Sequence, residues 1–219
     1  IKALGVPRTD DLFDEDYKSR KREELYRKYP LLQNSKVVLF APTFRGTGNK
    51  DAFYPWEKFD PEAFLEGMPE DVVCIIKNHP FVKESPSLSG RFGDRIYDLS
   101  DSEYINDLML VSDLMITDYS SAVFEAAILD LPMIFYTFDL EDYIRDRDFY
   151  FDFEGLVPGP IERTKEDLAH RARIMLEEKG YPLEEADKLK YFKEVFLGAI
   201  DGHSSERVFQ YIRSRFLKL

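Results

Sequence analysis

Three short polar clusters hold most of the reactive side chains in this chain of 219 residues. They are Thr43-Phe44-Arg45-Gly46, Lys77-Asn78-His79-Pro80 and Asp118-Tyr119-Ser120-Ser121. Between them they offer a guanidinium, an ammonium, an imidazole and hydroxyls, and every one of these groups can hold a phosphate. The third cluster runs into Ala122-Val123-Phe124-Glu125-Ala126-Ala127, whose alanines and apolar spacing predict a helix. The first turn of a helix has backbone N–H groups without partners, so an anion is a natural ligand at Ser120 and Ser121. Asp118 and Glu125 are the acidic members. They suit the hydroxyls of a sugar or glycerol, or the orientation of His79.

Each of these residues also has a plain structural reading. The serines cap a helix, Arg45 makes a surface ion pair, His79 sits in a turn before Pro80, and Lys77 ends a strand. His170 reads as solvated surface and His203 as part of a turn and helix cap. Metal-ligand spacing is absent, as are a Walker loop, Gly-x-Gly-x-x-Gly and Gly-x-Ser-x-Gly.

The elements that must position the clusters alternate. The apolar runs Val37 to Phe40, Val72 to Lys77, Arg95 to Leu99, Leu114 to Thr117 and Pro132 to Tyr136 predict five strands. Helices are predicted from Asp11 to Tyr29, from about Pro61, over Glu103 to Val111, after Ser121, and over Lys165 to Lys179, Leu183 to Ala199 and Ser204 to Phe216. Thr9 or Asp10 is expected to cap the first of these. Such alternation predicts an α/β fold, a Rossmann-like parallel sheet with helices on both faces. Each polar cluster directly follows a strand, so all three emerge at the carboxyl edge of the sheet, where ligands bind in this architecture.

Composition narrows the class. Hydrophobic residues make up 44% and aromatics 15%, which suits a folded globular chain. A formal net charge of -12 argues against nonspecific nucleic-acid binding and against a basic membrane-docking surface. The lone cysteine, Cys74, lies in an apolar run and cannot form an internal disulfide, which is simplest in the cytoplasm. No apolar run approaches bilayer-spanning length, and no signal peptide is expected. The chain starts at Ile1 without methionine and reads as a piece of a longer polypeptide.

In order, Gly5-Val6-Pro7-Arg8-Thr9-Asp10, Ala41-Pro42-Thr43-Phe44-Arg45-Gly46, Lys77-Asn78-His79-Pro80, Thr117-Asp118-Tyr119-Ser120-Ser121, Phe135-Tyr136 with Asp139 and Tyr143, Phe149-Tyr150-Phe151-Asp152 and Pro158-Gly159-Pro160-Ile161 form a series. The series resembles the CDP-glycerol glycerophosphotransferase family, the wall teichoic acid primases and polymerases. The resemblance implies the C-terminal, nucleotide-binding half of a GT-B architecture. Residues 1–30 would then link to an N-terminal half outside this chain, and 31–219 would form the CDP-alditol-binding domain. It implies transfer of glycerol phosphate or ribitol phosphate from a CDP-alditol to an acceptor hydroxyl, with release of CMP and no cofactor or metal. The implied acceptor is a polyol phosphate or a lipid-linked glycan.

By motif, His79 is the implied catalytic residue. Arg45, Gly46, Lys77, Thr117, Asp118, Ser120, Ser121, Glu125 and Asp139 are the implied substrate-binding set. The implied location is the cytoplasm, with any attachment to the inner face of the cell membrane left to the part outside this chain. Two alternatives stand beside this reading: half of a nucleotide-sugar GT-B glycosyltransferase, and a nucleotide-binding module inactive on its own. One departure bears on the site. The family usually carries Arg-Gly before Phe-Tyr, and here the residues are Arg147-Asp148, a carboxylate that either repels a phosphate or sits outside the site.

Overall fold

The computed structural model describes residues 2–178, 180, 181 and 183–216. Six strands form one sheet: β1 (Lys36–Phe40), β2 (Val72–Ile76), β3 (Ile96–Asp98), β4 (Leu114–Thr117), β5 (Met133–Tyr136) and β6 (Ile161–Glu162). Their order is β3-β2-β1-β4-β5-β6, and every neighbouring pair is parallel. The chain lays down β1, β2 and β3 in one direction, then returns past β1 to lay β4, β5 and β6 in the other. The reversal opens a crevice between the carboxyl ends of β1 and β4.

The helices are α1 (Glu15–Lys28), α2 (Pro61–Glu66), α3 (Ile105–Met109), α4 (Val123–Ile128), α5 (Leu140–Asp146), α6 (Phe153–Leu156), α7 (Lys165–Glu178), α8 (Leu183–Phe196) and α9 (Ser204–Phe216). Strand residues alternate between two cores, as a period of two requires. Val37, Leu39, Val73, Ile75, Met115, Met133 and Phe135 pack with Leu25, Leu108, Ala126 and Phe192 from α1, α3, α4 and α8. Val38, Phe40, Cys74, Ile76, Ile116 and Ile134 pack with Phe64, Leu65, Leu168, Ala172 and Met175 from α2 and α7. The expected parallel sheet covered on both faces is therefore present. Both faces being buried explains why the strands read as unbroken apolar runs.

The leading segment departs from expectation. Pro7–Phe13 is a 3-10 helix, and α1 starts only after Asp14, whose carboxylate accepts from the N–H groups of Asp16 and Tyr17. Thr9 instead bonds back to the Val6 carbonyl, and Asp10 accepts from Ser204 and Ser205 at the start of α9. The segment is tied to the domain across its length. Tyr17 donates to Asp107 at 2.7 Å and Arg22 to the Leu110 carbonyl at 3.0 Å. Strand β6 and helices α5 and α6 had no counterpart in the periodicity. Two of the three are four residues or fewer, and α5 carries mostly charged residues. The predicted end of α7 at Lys179 lies outside the described residues.

Candidate functional site

An open cleft of 940 Å³ lies at the β1/β4 crevice, within the size range of small-molecule sites. Thr43 and Phe44 after β1, Lys77, Asn78 and His79 after β2, and Tyr119, Ser120 and Ser121 after β4 all line it. Glu125 of α4 and Arg8 of the leading segment complete the wall beside Ser120 and Ser121. Of the ten site residues predicted from sequence, Lys77, His79, Ser120, Ser121 and Glu125 line the cleft, and Arg45, Gly46, Thr117, Asp118 and Asp139 do not.

The second group forms a closed network behind the cleft wall. Arg45 donates from Nε and Nη2 to both oxygens of Asp139, at 2.6 and 2.9 Å. Its Nη1 donates to Asp118 at 2.9 Å and to the Thr43 carbonyl at 2.6 Å. Asp118 also accepts from the backbone N–H groups of Thr43 and Tyr119, and the Tyr119 hydroxyl donates to Asp139. The rings of Tyr119, Phe138 and Tyr54 surround the guanidinium. Burial disfavours the charge on Arg45, but Asp118 and Asp139 outweigh it and hold the guanidinium above its ordinary pKa. Burial pushes the Asp118 carboxyl up, against the pull of Arg45 and the Thr43 N–H. Asp118 therefore orients the β1 exit loop and not His79. Thr117 is buried, with its hydroxyl donating to the Ala41 carbonyl. Gly46 has φ +96°, and a Cβ there would meet the Asp51 carbonyl oxygen at 2.3 Å, so its glycine serves the turn.

His79 stands at the end of β2, with Phe44 at 4.7 Å and Phe81 at 4.6 Å between ring centroids. Its Nδ1 accepts from the Phe81 N–H at 3.2 Å, which places the proton of the neutral ring on Nε2. Burial lowers its pKa from 6.5 and favours that neutral form. Lys77 spends its ammonium on the carbonyls of Ser100 and Leu99, at 2.5 and 3.4 Å. Burial also lowers its pKa, opposed by Asp101 and Asp98.

The turn at Ser120 leaves fewer N–H groups free than an ideal helix start. Helix α4 has six residues, and its cap, Ala122, offers no side-chain bond. The N–H groups of Ala122, Val123 and Phe124 already reach the Ser120 hydroxyl, the Ser120 carbonyl and the Ser121 carbonyl. What this turn presents is the hydroxyls of Ser120 and Ser121. Glu125, 4% exposed, accepts from Arg8 Nε at 2.9 Å.

The cleft residues that sequence reasoning left out of its site include Arg8, Tyr104 and Asn78. Arg8 sits 117 positions from its partner Glu125, beyond the reach of any local pattern. Tyr104 is 81% exposed on the cleft wall, just before α3. Asn78 is 3% exposed, and its Oδ1 and the Thr43 hydroxyl are buried without a hydrogen-bond partner among the described residues. The Arg147-Asp148 departure also resolves. Asp148 has φ +60°, a left-handed conformation that glycine fills most easily, and it lies off the cleft lining.

Comparison with known proteins agrees with this geometry. The family model for CDP-Glycerol:Poly(glycerophosphate) glycerophosphotransferase matches residues 1–214. The teichoic acid poly(ribitol-phosphate) polymerase of Bacillus spizizenii is 42% identical over 206 residues, 94% of this chain and 32% of that protein. The teichoic acid poly(glycerol phosphate) polymerase of Bacillus subtilis is 36% identical over 212 residues, 93% of this chain and 27% of that protein. A structure of the wall teichoic acid polymerase TagF, a variant soaked with CDPG, superposes with a TM-score of 0.81 at 26% identity, covering 100% of this chain and 53% of that one. The chain thus spans about a third of the length of these curated relatives and about half of that structure. It belongs to the CDP-glycerol:poly(glycerophosphate) glycerophosphotransferase family.

Proposed function

We propose that this chain is the donor-nucleotide half of a CDP-alditol phosphotransferase of teichoic-acid-type polymer synthesis, within a two-domain GT-B architecture. The observation that carries the reading is the cleft at the β1/β4 crevice, where His79, Ser120, Ser121 and Arg8 converge. The relative named for poly(ribitol phosphate) is more similar than the one named for poly(glycerol phosphate), which favours CDP-ribitol over CDP-glycerol as donor. The acceptor is a polyol phosphate or lipid-linked glycan, met by the half of the longer protein that precedes this domain. No helix among the described residues is long and apolar enough to cross a membrane, so attachment at the inner face of the membrane falls to that other part.

In this reaction the acceptor hydroxyl attacks the β-phosphorus in line, the bond to the CMP oxygen breaks, CMP leaves, and the hydroxyl proton passes to a base in the half outside this chain. Positioning and charge stabilisation do most of the work. Neutral His79 offers its Nε2–H as a hydrogen bond to the leaving phosphate oxygen and keeps its proton, and the Ser120 and Ser121 hydroxyls bond the diphosphate. Arg45, Asp118 and Asp139 act one layer back, by fixing the loops that carry Thr43 and Tyr119.

Calorimetric titration with CDP-ribitol, CDP-glycerol and a UDP-sugar tests the reading. Both CDP-alditols bind, CDP-ribitol more tightly, and the UDP-sugar binds at least about tenfold more weakly, the scale of one lost hydrogen bond to the base. Tightest binding of the UDP-sugar would transfer the chain to the glycosyltransferase reading. The purified chain binds donor without steady turnover. Sustained CMP release by it, abolished in His79→Ala, would show that the other half is not required.

A further inference from the structure

The cleft needs a positive charge for a diphosphate, and its obvious cations are committed elsewhere. Arg45 is enclosed by Asp118 and Asp139 and does not line the cleft. Lys77 faces two backbone carbonyls. His79 is held neutral by burial, with Nδ1 occupied. Arg8 differs from all three. Its side chain is 67% exposed on the cleft wall, while the carboxylate that holds it, Glu125, is 5% exposed.

We propose that Arg8 is the cation that binds the diphosphate of the donor, and that Glu125 is the positioning residue that aims it. Glu125 takes only the Nε of Arg8, and among the described residues no protein acceptor is found for Nη1 or Nη2. A guanidinium pinned at Nε keeps its two terminal nitrogens in a fixed plane, a fork that matches two phosphate oxygens. Glu125 belongs to the same short helix that follows Ser120 and Ser121, so the fork and the two hydroxyls are set by one piece of backbone. The backbone under Arg8 is also held. Thr9 closes the turn through its N–H and hydroxyl onto the Val6 carbonyl, and Asp10 is bonded to the start of α9. The pre-set geometry lowers the ordering cost of binding.

The inference rests on the donor-nucleotide reading, and two probes separate them: CDP, and inorganic pyrophosphate, which carries no base. The variants are Arg8→Gln, which removes the charge but retains an amide donor for Glu125, and Arg8→Lys, which retains the charge without the fork. Calorimetry is run beside thermal melting. Arg8→Gln is expected to lower the melting temperature, because buried Glu125 loses its counter-charge, and to weaken both probes roughly tenfold to hundredfold, the loss of charge-assisted bonds. Arg8→Lys is expected to recover only part of that loss. Wild type that binds both probes, with Arg8→Gln unchanged toward both, overturns the role of Arg8 and leaves the nucleotide reading standing. Pyrophosphate binding that Arg8→Gln abolishes, without any CDP binding, upholds Arg8 and overturns the nucleotide reading. Wild type that binds neither probe overturns both. If Arg8→Gln does not fold, Arg8→Lys decides: wild-type affinity for both probes overturns the fork, and a several-fold loss in a protein of unchanged melting temperature supports it.

Discussion

Arg45 and Arg8 each hold a carboxylate at the carboxyl edge of the sheet, yet their surroundings are opposite. Arg45 is 12% exposed in its side chain, and its Nε, Nη1 and Nη2 all donate to protein oxygens. Arg8 is 67% exposed and donates to the protein from Nε. The first arrangement uses four of its five N–H donors and is enclosed by two carboxylates. The second has donors to spare. A charged residue in a sequence motif is therefore not a ligand by virtue of its charge. What matters is whether its hydrogen-bonding capacity is already filled, since a buried network is stable only when its members are all satisfied.

Breaking the enclosed side has the largest expected effect. Arg45→Ala leaves the buried Asp118 and the partly buried Asp139 without their counter-charge, and removal of one partner from a buried pair costs about 3–5 kcal/mol. Chemical denaturation should show that loss, and Arg45→Lys should restore little of it because an ammonium cannot repeat the bidentate bond to Asp139. A stable Arg45→Ala protein with greatly weakened nucleotide binding would reverse the comparison and return Arg45 to the ligands.

The tie between the leading segment and α9 comes next. Asp10 accepts from the N–H groups of Ser204 and Ser205 at 2.9 and 2.7 Å, a cap supplied from 194 positions away. Burial works to raise its pKa, but the bonds from Ser205 and Ser204 prevail and lower it to about 2. The sign follows: the carboxylate's contribution is present above the ordinary value of 3.8 and is lost as pH falls toward 2. Asp10→Ala should cost about 1 kcal/mol at neutral pH, the usual worth of a cap, and should flatten the acid limb of the stability curve in that window. An unaltered acid limb would mean that the leading segment holds α9 by other contacts.

How much of this could be read beforehand divides along physical lines. The strands were legible because burial on both faces leaves runs such as Val72-Val73-Cys74-Ile75-Ile76 with no polar interruption. The position of the site was legible because each polar cluster follows a strand of a parallel sheet. Helix α1 was drawn too long at its start because Thr9 and Asp10 each suit a helix cap, and only tertiary contact with Ser204 shows that Asp10 is engaged elsewhere. The partition of site residues into cleft and framework was not legible. It depends on pairings such as Arg45 with Asp139 and Arg8 with Glu125, which join segments 94 and 117 residues apart.

His79 sharpens the comparison from the cleft side with a smaller effect. It is half-buried between Phe44 and Phe81, so His79→Ala should cost about 1 kcal/mol or less in stability. Its lowered pKa means that the fold favours the neutral ring. The stability it contributes is full above 6.5 and declines as pH falls through the folded value. Thermal melts of wild type and His79→Phe across that range should therefore diverge on the acid side, with the variant losing less. Parallel curves would mean that the imidazole titrates as freely as in the unfolded chain, and would restore the imidazolium as the acid in the reaction.

The last comparison concerns Asp148, where no change in CDP affinity is expected, and it decides whether this carboxylate belongs to either region. Its φ of +60° costs an ordinary L-residue roughly 1–2 kcal/mol, and aspartate reduces that cost through local bonding. Here Asp148 accepts from the Phe149 N–H at 2.7 Å, while its own N–H reaches the Tyr143 carbonyl at the end of α5. Glycine would relieve the backbone but give up that bond and add freedom to the unfolded chain. Asp148→Gly should thus shift stability upward by no more than about 1 kcal/mol, and Asp148→Val should lower it by roughly 1–2 kcal/mol. Because Asp148 is exposed and lies off the cleft, CDP affinity should be the same in all three proteins. Tighter CDP binding by Asp148→Gly, at unchanged stability, would instead show the carboxylate repelling the diphosphate and place this turn in the cleft after all.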